Sequence, residues 1–284
     1  MQDSRIAELE EVTALVTAAV VAGEPADAAA ATLVLRRYLD ADADAAPLQD
    51  VLGLALAQAL ALADDDATAC GRAAWLTLFV EATAVADDER IHPAIDRLTG
   101  ALRAEWSDHA RIDELSASLE ACFRAALVLD SRDLVQDAVD QLERMIGGAY
   151  RPGEGLARDR GGVRQRCDAA DHVRAASALL TAFELTGRLP YSMLAEELIA
   201  IAVREPFADA DLVIHCEAAR TLCRLARLHD DPDYRGAAVI ATGADYRAHA
   251  ARILSAQSAR ARAGSTSLAA AYGLALRDLL RDVR

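Results

Sequence analysis

An all-α fold follows from three features of this 284-residue sequence. The hydrophobic fraction is 53% while aromatics make up only 4%, so the apolar content is mostly Ala, Leu and Val. Apolar residues recur at helical spacing and no stretch alternates β-branched or aromatic residues with polar ones; Ala and Leu are also the strongest helix formers. The third feature is a repeat: Leu185-Thr-Gly-Arg-Leu-Pro-Tyr191 aligns with Leu228-His-Asp-Asp-Pro-Asp-Tyr234 at an offset of 43 residues, and each lies between two helical segments.

Cap and breaker signals divide the chain into twelve helices. The first runs from about Asp3 to Ala22 and is stopped by Gly23. The second starts at Pro25, suited to a first helical position, and ends in the acidic stretch Asp40 to Ala46. Pro47 opens the third, which ends at Asp64-Asp-Asp66. The fourth, near Ala67 to Ala86, contains Trp75 and is closed by Asp87-Asp88, and the fifth reaches about Glu105. Ser107 or Asp108 caps the sixth, which runs to Leu129. Asp130-Ser-Arg-Asp133 turns the chain into the seventh, closed at Gly147-Gly148. Gly147 to Arg166, rich in glycine and charge, reads as the one long irregular segment, a feature usually functional or mobile. The eighth helix follows Cys167, the ninth covers Pro190 to Arg204, and the tenth runs from Asp209 or Asp211 to Asp230. Pro232 starts the eleventh, with a kink at Gly243 and an end near Leu254. The twelfth is capped by Ser265 or Thr266. No strand is expected.

Leu129-Asp-Ser-Arg-Asp-Leu134 and Ala84-Val-Ala-Asp-Asp-Glu-Arg-Ile91 fit the same repeat frame, so tight turns join each even-numbered helix to the next from the fourth onward. A helical hairpin cannot bury its apolar face alone and must stack on neighbours. An open α-solenoid would expose its end hairpins and need polar caps there. Twelve helices, the last as apolar as an interior one, favour instead an α/α toroid of about six hairpins, a single domain over 1–284 with the even helices as inner ring.

The formal charge is -15, and all thirty basic residues are Arg. Acidity and scarce aromatics argue against nucleic acid and against anionic membrane surfaces. The acidic N-terminus is unlike a signal peptide, and the longest apolar run, Val51 to Ala63, is too short to span a bilayer, so a cytoplasmic location is expected. The five cysteines (Cys70, Cys122, Cys167, Cys216 and Cys223) form no CxxC and suggest neither a disulfide framework nor a ribbon-type metal site. No cofactor is indicated.

The phrase Asp171-His-Val-Arg-Ala-Ala-Ser-Ala-Leu-Leu, continued by Phe-Glu-Leu-Thr-Gly-Arg-Leu-Pro-Tyr191, resembles a repeat phrase of six-hairpin glycosidase-like toroid proteins. It is nearest the helical C-terminal region of the spermatogenesis-associated, thioredoxin-domain-containing family. Gly148-Ala-Tyr-Arg-Pro-Gly-Glu-Gly155 is similar to the loop those proteins place ahead of the Asp. The resemblance covers roughly the last 140 residues. It implies a toroid with an axial site, and carbohydrate metabolism as the setting. Two departures stand out: His172 replaces the usual Asn, and no thioredoxin-like domain or CxxC is present, so redox chemistry does not carry over.

In such a toroid the rim carrying the N-termini of the inner helices can bind ligands, because helix dipoles and polar side chains converge there. The rim set is Trp106, Asp108, His109, Tyr150, Arg166, Asp168, Asp171, His172, Asp211 and His215. Asp168 and His172 repeat as Asp211 and His215, each pair at i, i+4 on one helix side. A carboxylate beside an imidazole suits acid/base work; equally, Asp168 and Asp211 suit N-caps, with the histidines as repeat positions. Asp171 is the catalytic candidate because it is not needed as a cap, with His172 or His215 assisting. A metal would use His172, His215, Cys167 or Cys216 with Asp211, but Cys216, adjacent to His215 on a helix, points about 100° away from it, which makes joint ligation awkward. The Arg158, Arg160, Arg164 and Arg166 cluster suits either an anionic ligand group or a solvated loop. Two functions stay open: a small polar or saccharide ligand handled by acid/base chemistry, or a non-catalytic scaffold for a protein partner.

Overall fold

The computed structural model describes residues 2–41, 45–107, 111–160, 163–204, 207, 210–237 and 244–281. Helices α1 (Gln2–Val21), α2 (Ala28–Asp40), α3 (Ala46–Leu62), α4 (Ala69–Ala82), α5 (Ile91–Ala104), α6 (Ile112–Val128) and α7 (Arg132–Ala149) come first. Strands β1 (Tyr150–Arg151), β2 (Gly155–Arg160) and β3 (Val163–Arg166) follow. The chain ends in α8 (Ala169–Thr186), α9 (Leu189–Ala202), α10 (Leu212–Asp230), α11 (Pro232–Ala237), α12 (Tyr246–Arg262) and α13 (Thr266–Arg281).

Helices α2, α4, α6, α8, α10 and α13 pack in succession, and α13 packs back on α2, so the inner ring closes and an open solenoid is ruled out. Outside them lie α3, α5, α7, α9 and α12, while α1 packs on α13 and supplies the last outer position. Burial separates the rings. Inner α6 buries Leu115, Ser116, Leu119, Ala121, Cys122, Phe123 and Ala125, residues on nearly every side. Outer α7 buries only Leu134, Ala138, Val139, Leu142 and Ala149, a stripe along one face. That is the pattern of a helix enclosed by neighbours against one that faces solvent.

Local chemistry sets the helix ends. Asp27 and Thr68 cap α2 and α4, accepting from Ala30 N at 2.8 Å and Gly71 N at 3.0 Å. Gly187 stops α8 in the left-handed region at φ 69°, where its N–H reaches Phe183 O at 2.8 Å.

Four expectations need correction. Pro25 stands ahead of α2, because Asp27 is the better cap and defers the start to Ala28. The irregular segment holds a three-stranded antiparallel sheet in the order β1-β2-β3, with Ala157 opposite Arg166 and Arg158 opposite Gln165. The long eleventh helix is two helices, α11 and α12, the second newly capped by Asp245. Among the described residues there are thereby thirteen helices, not twelve. The expected kink at Gly243 lies outside the described residues.

The axis is crossed by charged side chains from every inner helix. Arg36 on α2 bonds Glu81 on α4 at 2.6 Å and reaches Asp278 on α13 at 3.5 Å. Arg220 on α10 bonds the same Asp278 at 2.9 Å, and Arg277 holds Asp40 of α2 at 2.5 Å. Arg224 on α10 joins Glu120 of α6 at 3.2 Å and Glu184 of α8 at 3.0 Å, with Thr181 at 2.8 Å. Burial opposes the charge on Glu120, but Arg124 and Arg224 outweigh it and hold its carboxyl at about 2. Asp278 is held at about 2 against burial by Arg220 and Arg36. The Arg36–Asp278 and Arg277–Asp40 bonds span the seam between the first and last inner helices, and the Arg224–Glu120 bond crosses the ring. They sit in the half of the ring where the inner helices end, and the rim where the helices begin lies opposite.

Candidate acid pair at the rim

Where α6 and α8 begin, two carboxylates meet. Asp168 caps α8 by accepting from Asp171 N at 3.1 Å, and Asp171 returns the bond, Oδ2 accepting from Asp168 N at 3.2 Å. This reciprocal capping box corrects the expectation that Asp171 has no capping duty: its position, three residues after the cap, places its carboxylate back over the helix start. One oxygen is left for longer-range contacts. Asp171 Oδ1 accepts from the backbone N–H of Asp113 on α6 at 3.0 Å and from the Arg158 guanidinium.

Asp113 was not singled out from the sequence. It is 2% exposed and accepts from Arg111 at 2.8 Å and from Arg174 at 3.2 Å, and Arg158 lies 3.8 Å away. Arg174 reaches further, to Glu217 at 2.9 Å and Cys70 Sγ at 3.1 Å. The two carboxyls are pushed apart in acidity. Burial raises Asp171, the neighbouring Asp168 and Asp113 add to the rise, and Arg158 only partly offsets it. Asp113 is also buried, but Arg111 and Arg174 outweigh that and hold it below the ordinary carboxylate range.

The imidazole of His172 fixes the sheet over this pair. Its Nδ1 lies 2.7 Å from Asp168 O and its Nε2 accepts from Leu156 N at 3.0 Å, which assigns the neutral ring with the proton on Nδ1. Burial lowers its pKa, consistent with that state. Gly155, at φ 83°, is required here: a Cβ would stand 2.5 Å from His172 Nε2. Leu156 is fully buried, and Arg158, two residues on along the strand, points to the same face and meets the acids.

The other rim residues take separate positions. His215 repeats the local bond, Nδ1 to Asp211 O at 2.9 Å, with its ring 4.2 Å from that of Phe207. Asp211 is exposed, stands at the N-cap of α10 and makes no side-chain cap bond. In neither repeat copy does the Asp carboxylate orient the imidazole; the backbone carbonyl does. Trp106 is 7% exposed and donates to Ser118 Oγ at 2.9 Å, so the indole is part of the core and offers no ligand platform. Tyr150 donates to Glu197 at 2.8 Å and Arg166 is exposed on β3. Asp108, His109 and Asp209 lie outside the described residues, as do the side chains of Arg160 and Arg164.

Cys167 and Cys70, the rim thiols, are pushed up by burial to about 12 and about 11, which keeps them protonated. Among the described residues no group of three or more His, Cys, Asp and Glu converges on a metal position. No helix of the described residues is long and apolar enough to cross a membrane. A cavity of about 500 Å³ opens elsewhere, on the outer surface, lined by Leu60 of α3 and Pro93 and Arg97 of α5 among others.

No family model matches the chain, and no curated protein matches it in sequence. In structure it is similar to an α-1,6-mannanase, GH76A of Salegentibacter sp. HEL1_6, solved as an inactive variant with two consecutive aspartates replaced by alanine, in complex with α-1,6-mannotetrose. The TM-score is 0.63 with 10% identity, over 89% of this chain and 88% of that one. The likeness is one of fold: an all-α, six-hairpin glycosidase-like toroid.

Proposed function

We propose that this chain handles a polar, saccharide-like ligand at the rim where α6 and α8 begin, with Asp171 as acid and Asp113 as its ionised partner. The observation that carries the reading is a pair of buried carboxylates that share Arg158, of which Asp113 also meets Arg111 and Arg174 while Asp171 sits beside Asp168. Burial and these charges push Asp171 up and hold Asp113 down, the direction expected of an acid beside an ionised partner. In glycoside cleavage the protonated group would deliver its proton to the leaving oxygen, and the carboxylate would stabilise the positive charge developing on the sugar ring. The mannanase-like fold supports this class of ligand. Because Arg158 lies against both acids, ligand entry requires β2 and β3 to lift; His172 would act by holding the sheet rather than by touching the ligand. Kinship with the spermatogenesis-associated family, and a cytoplasmic setting, belong to the same proposal.

Reducing-end release from α-1,6-linked mannooligosaccharides and other glycans, for wild type, Asp171→Asn and Asp113→Asn, tests it. Loss of the acid is expected to slow turnover roughly 10²- to 10⁴-fold. Unchanged turnover in both variants, or a wild type that neither binds nor cleaves any glycan, would contradict it.

A second reading, a non-catalytic scaffold, is favoured by the ion pairs across the axis and by the burial of both tryptophans. It expects no glycan binding and an Asp171→Asn variant altered only in stability.

A further inference from the structure

At the far end of the ring from Asp171, four helices enclose a second polar cluster. Glu196, in α9, is 1% exposed. Its Oε1 accepts from the Tyr246 hydroxyl of α12 and lies 3.4 Å from His229 Nε2, in the last turn of α10, without hydrogen-bond geometry. Its Oε2 has no hydrogen-bond partner among the described residues, and neither has His229 Nε2. The Tyr234 hydroxyl of α11 likewise has no hydrogen-bond partner among the described residues. The rings meet edge-on, His229 to Tyr246 at 5.0 Å and His229 to Tyr234 at 5.4 Å. No Arg pairs with Glu196 among the described residues, unlike every carboxylate on the axis.

A buried carboxylate with a single neutral donor is costly unless something else supplies positive charge and N–H or O–H donors. Glu196 Oε2 can only accept when ionised, and a neutral imidazole accepts through Nε2 when Nδ1 holds the proton. What the cluster lacks is positive charge and a donor in bonding position, since the Tyr234 hydroxyl bonds nothing among the described residues. A donor-only cation meets both needs, and aromatic rings around a carboxylate are favourable surroundings for it. A divalent metal is a poorer match, since no third His, Cys, Asp or Glu joins Glu196 and His229. We propose that Glu196, His229, Tyr234 and Tyr246 form a binding site for a primary ammonium group, either the ammonium ion or the head of a protonated amine. The His229 side chain, 17% exposed, is the edge through which it is reached.

The test is thermal unfolding of the full chain in ammonium, methylammonium, tetramethylammonium and sodium chloride at matched ionic strength. At about tenfold above Kd, Tm is expected to rise roughly 2–4 °C in the first salt relative to sodium. A matching rise in methylammonium identifies an amine head; a rise in ammonium alone identifies the free ion. Tetramethylammonium, which has no N–H, gives no rise. Glu196→Gln and Tyr246→Phe are expected to lose the response. Equal shifts in all four salts, or a response retained in both variants, would overturn the proposal. Should either variant fail to fold, ¹⁵N-ammonium added to wild type reads the same point: a bound, exchange-protected resonance supports the site and its absence overturns it.

Discussion

At the rim, Asp171 is buried beside two other aspartates and shares one Arg with Asp113, and it is harder to ionise than an ordinary carboxyl. At the opposite half of the axis, Glu120 and Asp278 are partly buried, with side chains 20% and 15% exposed, and each meets two or more Arg and is held at about 2. Burial is common to both places; the local balance of Arg against acid is what differs. The far half therefore ties the inner helices together, and the rim is where a buried carboxyl is left with less opposing positive charge.

The largest expected effect comes from loosening those ties. Arg224→Ala removes one of the two Arg that hold Glu120, with Arg124 remaining, together with the bonds to Thr181 and Glu184. It is expected to cost about 3 kcal/mol in chemical denaturation, because hydrogen bonds made by a charged group are worth more than neutral ones. Next comes the hinge of the rim sheet: Gly155→Ala combines a positive φ with the clash on His172, for about 2–3 kcal/mol. Hydrogen exchange at the Leu156 amide should quicken in step.

The comparison also fixes signs in pH. Glu120 and Asp278 have depressed folded pKa values, so their contribution is present above the ordinary values of 4.5 and 3.8 and is lost as pH falls toward about 2. His172, also lowered, loses its contribution as pH falls below 6.5, where the unfolded imidazole takes a proton that the folded one refuses. Asp171 runs the other way: its raised pKa favours the fold at low pH, and that contribution is lost as pH rises through the folded value. Tm measured from pH 8 to pH 2 should show the acid loss, and Glu120→Gln should shrink its lowest-pH part.

Smaller still is Arg158→Ala, a change expected to cost about 1 kcal/mol or less while raising the Asp171 pKa further, since Arg158 is what lowers it. As a control, the exposed Arg97–Asp64 pair should matter by about 0.5 kcal/mol or less.

Much of the ring was legible before any coordinates, and for a physical reason. Helix periodicity and the 43-residue spacing of Tyr191 and Tyr234 report packing that is repeated, so the inner and outer helices could be told apart. The rim sheet was not, because Gly155 to Arg166 has few β-branched or apolar residues; Gly161-Gly162 between two short runs was its one hairpin signal. Asp113 escaped notice because its meaning lies in contacts with Arg111, Arg158 and Arg174, two of them far along the chain. Asp171 drew attention for its place in a repeat phrase, but only the coordinates show that it serves both as part of the cap and as partner to α6.

Carbon-13 NMR titration of the aspartate carboxyls, assigned through Asp113→Asn and Asp171→Asn, tests the split at the rim most directly. Asp171 should titrate above the ordinary aspartate value of about 3.9 and Asp113 below it, with Arg158→Ala moving Asp171 further up. Both carboxyls titrating together below that value, or in the reverse order, would contradict the acid pair.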